Sequence, residues 1–288
     1  MSRPLLHTAS LALLLVLSGP AFAQALEVPE SESFALDGPS GTYEITVTRP
    51  VGYDATSPER YPVLYYLDAW WLREMVTGVA LVASLHQKTD VEPVVLVGIG
   101  FDGDVSAWSM QRYLDLTPGL YQSPFNGLDL PVGGVWLDST NTGAADAFLL
   151  FLESDVLPRV EADTHVDPER RGLLGHSLGG LFGAWVLGHR PDLFDSYLIL
   201  SPSMWWRKGE VLDRGFAEAG RLDRRAFVAV GTSEGATMVR GVRELADALV
   251  DDSVAVVGRS YPKATHGSVL PRAIWDGFEA LYGNETLW

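Results

Sequence analysis

Three apolar runs that do not alternate constrain the fold of this chain most: Val63-Leu64-Tyr65-Tyr66-Leu67, Val94-Val95-Leu96-Val97-Gly98-Ile99 and Gly172-Leu173-Leu174. A strand with one wet face alternates apolar and polar residues. A strand covered on both faces does not, and parallel sheets are built from such strands. Tyr197-Leu198-Ile199-Leu200, Phe227-Val228-Ala229-Val230 and Val254-Ala255-Val256-Val257 extend the set. Helical patterns lie between them. Residues 145–162 place Phe148, Leu149, Leu152, Val156 and Val160 near helical spacing. Residues 178–188 are small and apolar, and 238–250 and 269–282 complete the series. Strands alternating with helices predict an α/β architecture, a mostly parallel central sheet with helices on both faces. Residues 42–48 alternate with period two and predict an earlier, half-exposed strand. Residues 102–143 are rich in Gly, Pro and Asp and show little periodicity. They also hold Trp108, Tyr113, Tyr121, Phe125 and Trp136, so they read as an ordered, irregular excursion walling a cleft.

Residues 1–23 read as a signal peptide: Arg3, the apolar run from Leu11 to Leu17, then Ala21-Phe22-Ala23 as a small-x-small cleavage signal. The run is shorter than the roughly 20 apolar residues that span a bilayer. The expected product is exported, periplasmic or secreted, with no stable membrane insertion once the peptide is removed. No linker-like run divides residues 24–288, which read as a single domain. A net charge of −16 excludes nucleic-acid binding by general electrostatics. The absence of cysteine excludes thiol catalysis and cysteine metal ligands. No HExxH, zinc spacing or calcium loop is present, so neither metal nor cofactor is expected.

Gly175-His176-Ser177-Leu178-Gly179 lies between an apolar run and a small-residue helix. This is the strand–turn–helix context of a nucleophile elbow, with Ser177 at its tip. A serine hydroxyl needs a base to take its proton. The order expected in such folds is Ser, then Asp or Glu, then His. His86 and His165 precede Ser177, His176 adjoins it and should point away from the Oγ, and His189 ends a helix. His266, in a loop after the last strand, remains as general base. The acid belongs on the turn after the strand at 227–230, which selects Glu234. Asp251 and Asp252 sit at the wrong end of the sheet. Leu178 N–H is the expected first oxyanion donor. The second should come from the turn at Leu67-Asp68-Ala69-Trp70-Trp71. Gly98-x-Gly100-x-x-Gly103 matches the dinucleotide pattern but is set aside, because 104–118 reads as irregular where an amphipathic helix is needed. Asn284-Glu285-Thr286 matches the glycosylation triplet and is discounted as a chance match.

Tyr61 to Asp68, Val97-Gly98-Ile99-Gly100 and Arg112-Tyr113-Leu114-Asp115-Leu116-Thr117-Pro118 lead a series of landmarks. The elbow with Gly180, Ser201 to Trp206, Gly231 to Gly235 and His266 to Val269 continue it. With these the chain resembles the putative-esterase family of α/β-hydrolases, over about residues 43–282 and closest to its siderophore-esterase-like branch. The resemblance implies a Ser177–Glu234–His266 triad acting on a small-molecule ester through an acyl-enzyme. It also places the second oxyanion donor at Trp70 N–H. Asp68, Ala69, Arg112, Trp205 and Trp206 are the expected substrate-contacting set. Ala69 stands where the family usually has glycine, a costly exchange if the turn needs a positive φ there. Which ester is cleaved stays open among siderophore lactone, aryl, carbohydrate and lipid esters. An acyltransferase or a non-catalytic binding protein on the same scaffold are the alternatives.

Overall fold

The computed structural model describes residues 29–85, 91–101, 103–122 and 136–283. The signal-peptide reading, His86, Phe125, residues 123–135 of the excursion and the triplet at 284–286 lie outside them.

One sheet of eight strands organises the chain: β1 (Ser31–Gly38), β2 (Gly41–Thr48), β3 (Tyr61–Tyr66), β4 (Val95–Phe101), β5 (Val166–His176), β6 (Ser196–Leu200), β7 (Arg225–Gly231) and β8 (Ala255–Tyr261). Their order is β1-β2-β4-β3-β5-β6-β7-β8; β1–β2 and β2–β4 pair antiparallel and every pair from β4 onward is parallel. Five of the six non-alternating runs are central strands, and β3, β6 and β7 are almost wholly buried; the sixth, at 254–257, leads into β8, an edge strand in which only Val257 is buried. The sheet separates two cores. Leu173, Tyr65 and Val228 face one side, which α5 (Leu178–His189) and α7 (Ala236–Asp251) cover. Leu174, Tyr66 and Phe227 face the other, which α1 (Ala69–Leu85) and α8 (Leu270–Tyr282) cover. This is the α/β-hydrolase fold.

Three expectations need correction. Residues 104–118 are not irregular: Asp104 caps α2 (Val105–Asp115), accepting from the N–H groups of Ser106 and Ala107 at 2.9 Å. Its buried positions are Gln111, Tyr113 and Asp115, so no apolar stripe betrays the helix. A helix therefore does follow the glycine pattern. Gly98 and Gly100, however, lie inside β4, in register with Thr46 and Glu44, and not in a phosphate-cradling turn. Second, β2 is exposed only at its start: Thr46 and Thr48 are buried because their hydroxyls pair at 2.8 Å with Ser33 and Ser31 of β1. Third, the described part of the excursion is partly regular, and α2 is docked at Asp115. Asp115 is buried and accepts from Tyr43 Oη (2.6 Å) and from Ser40. Burial pushes its carboxyl up to about 6, against the pull of those two bonds. The expected helix at 145–162 runs as α3 (Ala145–Phe151), a π-helical turn at 152–156 and α4 (Leu157–Asp163).

Candidate active site

Topology decides where a site can form. From neighbouring strands, α1 leaves β3 towards β4 and α5 leaves β5 towards β6, in opposite directions. Between such diverging connections the carboxyl edge of the sheet opens into a crevice. Asp68 and Ser177 stand there, each on the turn between strand and helix.

Ser177 has φ 61° and ψ −115°, a strained setting for a residue with a side chain. The crossing of β5 and α5 permits it, since a Cβ on Gly175 would strike the main chain of Gly179. Ser177 Oγ lies 3.4 Å from Ser203 Oγ, and among the described residues no hydrogen bond joins it to His266. Catalytic contacts are often loose before substrate arrives. Leu178 is the first residue of α5 and Trp70 the second of α1. First-turn N–H groups have no partner within their own helix. Two such donors therefore stand at the start of helices that flank one crevice.

Glu234 and His266 come together because their turns are zipped. Thr232 N–H donates to Tyr261 O (3.0 Å), Ser233 N–H to Ala264 O (2.9 Å) and Lys263 N–H to Thr232 Oγ1 (2.9 Å). His266 Nδ1 then lies 2.6 Å from Glu234 Oε2. A carboxylate accepts, so Nδ1 carries the proton and Nε2 is left as the basic nitrogen. The Glu234 side chain is 1% exposed and that of His266 44%, so the acid is sheltered while the imidazole opens to the cleft. Burial pushes the Glu234 carboxyl up. Hydrogen bonds from His266, Ser201 Oγ (2.6 Å) and Gly231 N–H (2.6 Å) outweigh it and hold the carboxyl below the usual range. Asp251 is exposed, and Asp252 accepts from Phe216 N–H (2.5 Å) at the far end of α7.

The remaining expected residues divide. Asp68 takes a bidentate ion pair from Arg112, 2.8 Å at each oxygen, and both side chains are nearly buried. The pair neutralises a carboxylate that would otherwise oppose negative charge developing nearby. The positive φ of this turn falls on Asp68 (58°), not on Ala69, so alanine at 69 carries no conformational cost. Ala69 is 7% exposed and packs under β4. Trp206 is a correction: it is 1% exposed, donates its indole N–H to Pro118 O (3.2 Å), and belongs to the core. Trp205 is half-buried against it. Trp70, in contrast, is open: it is 44% exposed and stacked on Trp108 at 5.5 Å, with the Arg112 guanidinium over Trp108 at 4.9 Å. Sequence reasoning gave no role to Ser201, which holds Glu234 from a left-handed backbone (φ 42°). A serine next to proline after a buried strand was the available signal.

The chain is similar to several known proteins. The ferri-bacillibactin esterase BesA of Bacillus subtilis is 36% identical over 174 residues, 60% of this chain and 57% of that protein. The siderophore enterobactin esterase of Emericella nidulans is 33% identical over 178 residues, again 57% of its length. The chain thus spans under three-fifths of these relatives. The crystal structure of BES protein from Bacillus cereus superposes with a TM-score of 0.77 at 27% identity, covering 91% of this chain and 99% of that one. The family model described as "Putative esterase" matches residues 39–266, from the β1–β2 turn through His266, and the chain belongs to that family.

Proposed function

We propose that this chain is an exported serine hydrolase that cleaves carboxylic esters, with siderophore esters as the substrate class. The observation that carries the reading is the 2.6 Å His266–Glu234 contact on the turns facing the strained Ser177. His266 Nε2 takes the Ser177 proton as Oγ attacks the ester carbonyl. Leu178 and Trp70 N–H groups stabilise the oxyanion, and Glu234 stabilises the imidazolium. His266 then gives the proton to the leaving alcohol. Water, deprotonated by the same nitrogen, releases the acid from the acyl-enzyme.

The names of the relatives support the substrate class, and the exposed Trp70 on Trp108 supplies an aromatic wall beside the proposed donor. The apolar run in residues 1–23 supports export.

The test uses a short-chain p-nitrophenyl ester and a siderophore ester. S177A should lose at least about 10³-fold in kcat on both, and E234Q about 10²-fold or more. D251N should match wild type. Full activity in S177A overturns the reading, and loss in D251N in place of E234Q moves the acid.

A further inference from the structure

His176 ends β5, one residue before Ser177, and alternation along the strand puts it on the same side as Leu174. That side is covered by α1 and α8, and the turn that starts α8 carries His266. His176 therefore lies beneath the proposed base, although it is the nucleophile's neighbour in sequence. It is 2% exposed. Its Nε2 is 3.0 Å from the main-chain oxygen of His266, and the two imidazole rings are 4.3 Å apart between centroids, inclined by 40°. Trp71 closes the other side, edge-on at 5.7 Å.

A carbonyl can only accept, so His176 carries its proton on Nε2. Its Nδ1 is buried with no partner among the described residues. Burial above all, and then the neighbouring His266, push its pKa down to about 3. The charged groups facing it are Asp68 and Arg112, paired with each other on the β3 side, and His266 with Glu234 on the other. The ring is thus a neutral donor across the pH range of an esterase, and it adds no repulsion when His266 becomes charged.

We propose that His176 is a positioning residue: by donating to the His266 carbonyl and flooring its ring, it fixes the imidazole between Glu234 and Ser177. The inference rests on the triad reading above. Hydrogen bonds that hold a catalytic group in register have large kinetic effects, because misplacement by about 1 Å costs on the order of 10²-fold in rate.

The test is the pH-dependent rate at which a fluorophosphonate labels Ser177 in the full chain, compared among wild type, H266A, H176Q and H176M. Gln and Met are close in volume, and only Gln keeps a donor. H176Q should label within about threefold of wild type. H176M should label about 10–100-fold more slowly. Equal rates for H176Q and H176M overturn the inference while leaving the triad intact. Wild-type labelling in H266A overturns the triad reading itself. Histidine ¹⁵N resonances of the wild-type protein give a readout independent of any variant's folding. His176 should stay neutral with Nε2 protonated from pH 5 to 9, and an Nδ1–H tautomer there overturns the inference.

Discussion

Two turns face each other across the crevice and solve one problem by different means. Both follow neighbouring parallel strands, both start a helix, and both carry a non-glycine residue with positive φ, 58° at Asp68 and 61° at Ser177. Around Ser177 the solution is space. Gly175 lets the α5 main chain pass, and a Cβ on Gly180 would lie 3.0 Å from Leu200 O. The turn at Asp68, residues 67–71, contains no glycine of its own. The left-handed residue is an aspartate, a type that tolerates that region, and its carboxylate is clamped by Arg112 from α2. One turn is made possible by what its side chains leave empty, the other by a charge pair. A glycine pattern is visible along a sequence, and an ion pair between residues 44 apart is not.

The largest effect should come from filling the space. G175A puts a methyl group into the Gly179 main chain, where no flexible side chain can yield. A loss of about 5 kcal/mol or more is expected, with no fluorophosphonate labelling. G179A is the contrast: its Cβ would meet Asp68 Oδ2 at 3.5 Å and Leu67 at 3.6 Å, ordinary contacts. It should fold and keep activity within a few-fold. Thermal melts and labelling rates decide, and a tolerated G175A would break the claim that space makes the elbow.

Removing the clamp should come second. R112M leaves the Asp68 carboxylate buried and unpaired beside the proposed oxyanion donors, which costs about 3–5 kcal/mol. The lower kcat should exceed any change in KM, because Trp70 N–H loses its placement. Adding D68N to R112M should recover part of the stability, since it removes the orphaned charge. If the double variant is no more stable than R112M, the clamp is not electrostatic.

What could be read from the sequence follows the same division. The proximity of Glu234 and His266 was legible, because each sits on the turn after a strand whose apolar run is plain: 227–230 for one, 254–257 for the other. Chain order did the rest. α2 was not legible, because its inward positions are Gln111, Tyr113 and Asp115, two of them polar, which leave no apolar period. α1 was hidden in the opposite way. Its buried Leu72, Val76 and Ala83 keep helical spacing, but Trp70, Trp71, Met75 and Val82 surround them with further apolar residues. Trp205 and Trp206 show the limit for adjacent residues of one type. Contacts distant in sequence, with Pro118 and Tyr121, turn Trp206 inward. His176 was expected to point away from the nucleophile. That its ring meets His266, 90 residues on, depends on α8 crossing the same face.

The smallest effect tests the residue where family pattern and chain differ. Glycine would be needed at 69 only if that residue carried the left-handed conformation. Here Asp68 carries it, and Ala69 opens α1 with its methyl group buried under β4. A69G therefore relieves no strain. It removes a packed methyl group and loosens the first turn of a helix, for a loss of about 0.5–1 kcal/mol. The turn should still present Trp70 N–H, so kcat on a p-nitrophenyl ester should stay within about twofold of wild type. A rise in kcat of tenfold or more would mean that alanine holds the turn away from its working geometry. The Asp68–Arg112 pair would then be compensating for a misfit, and the two turns would not be equivalent solutions.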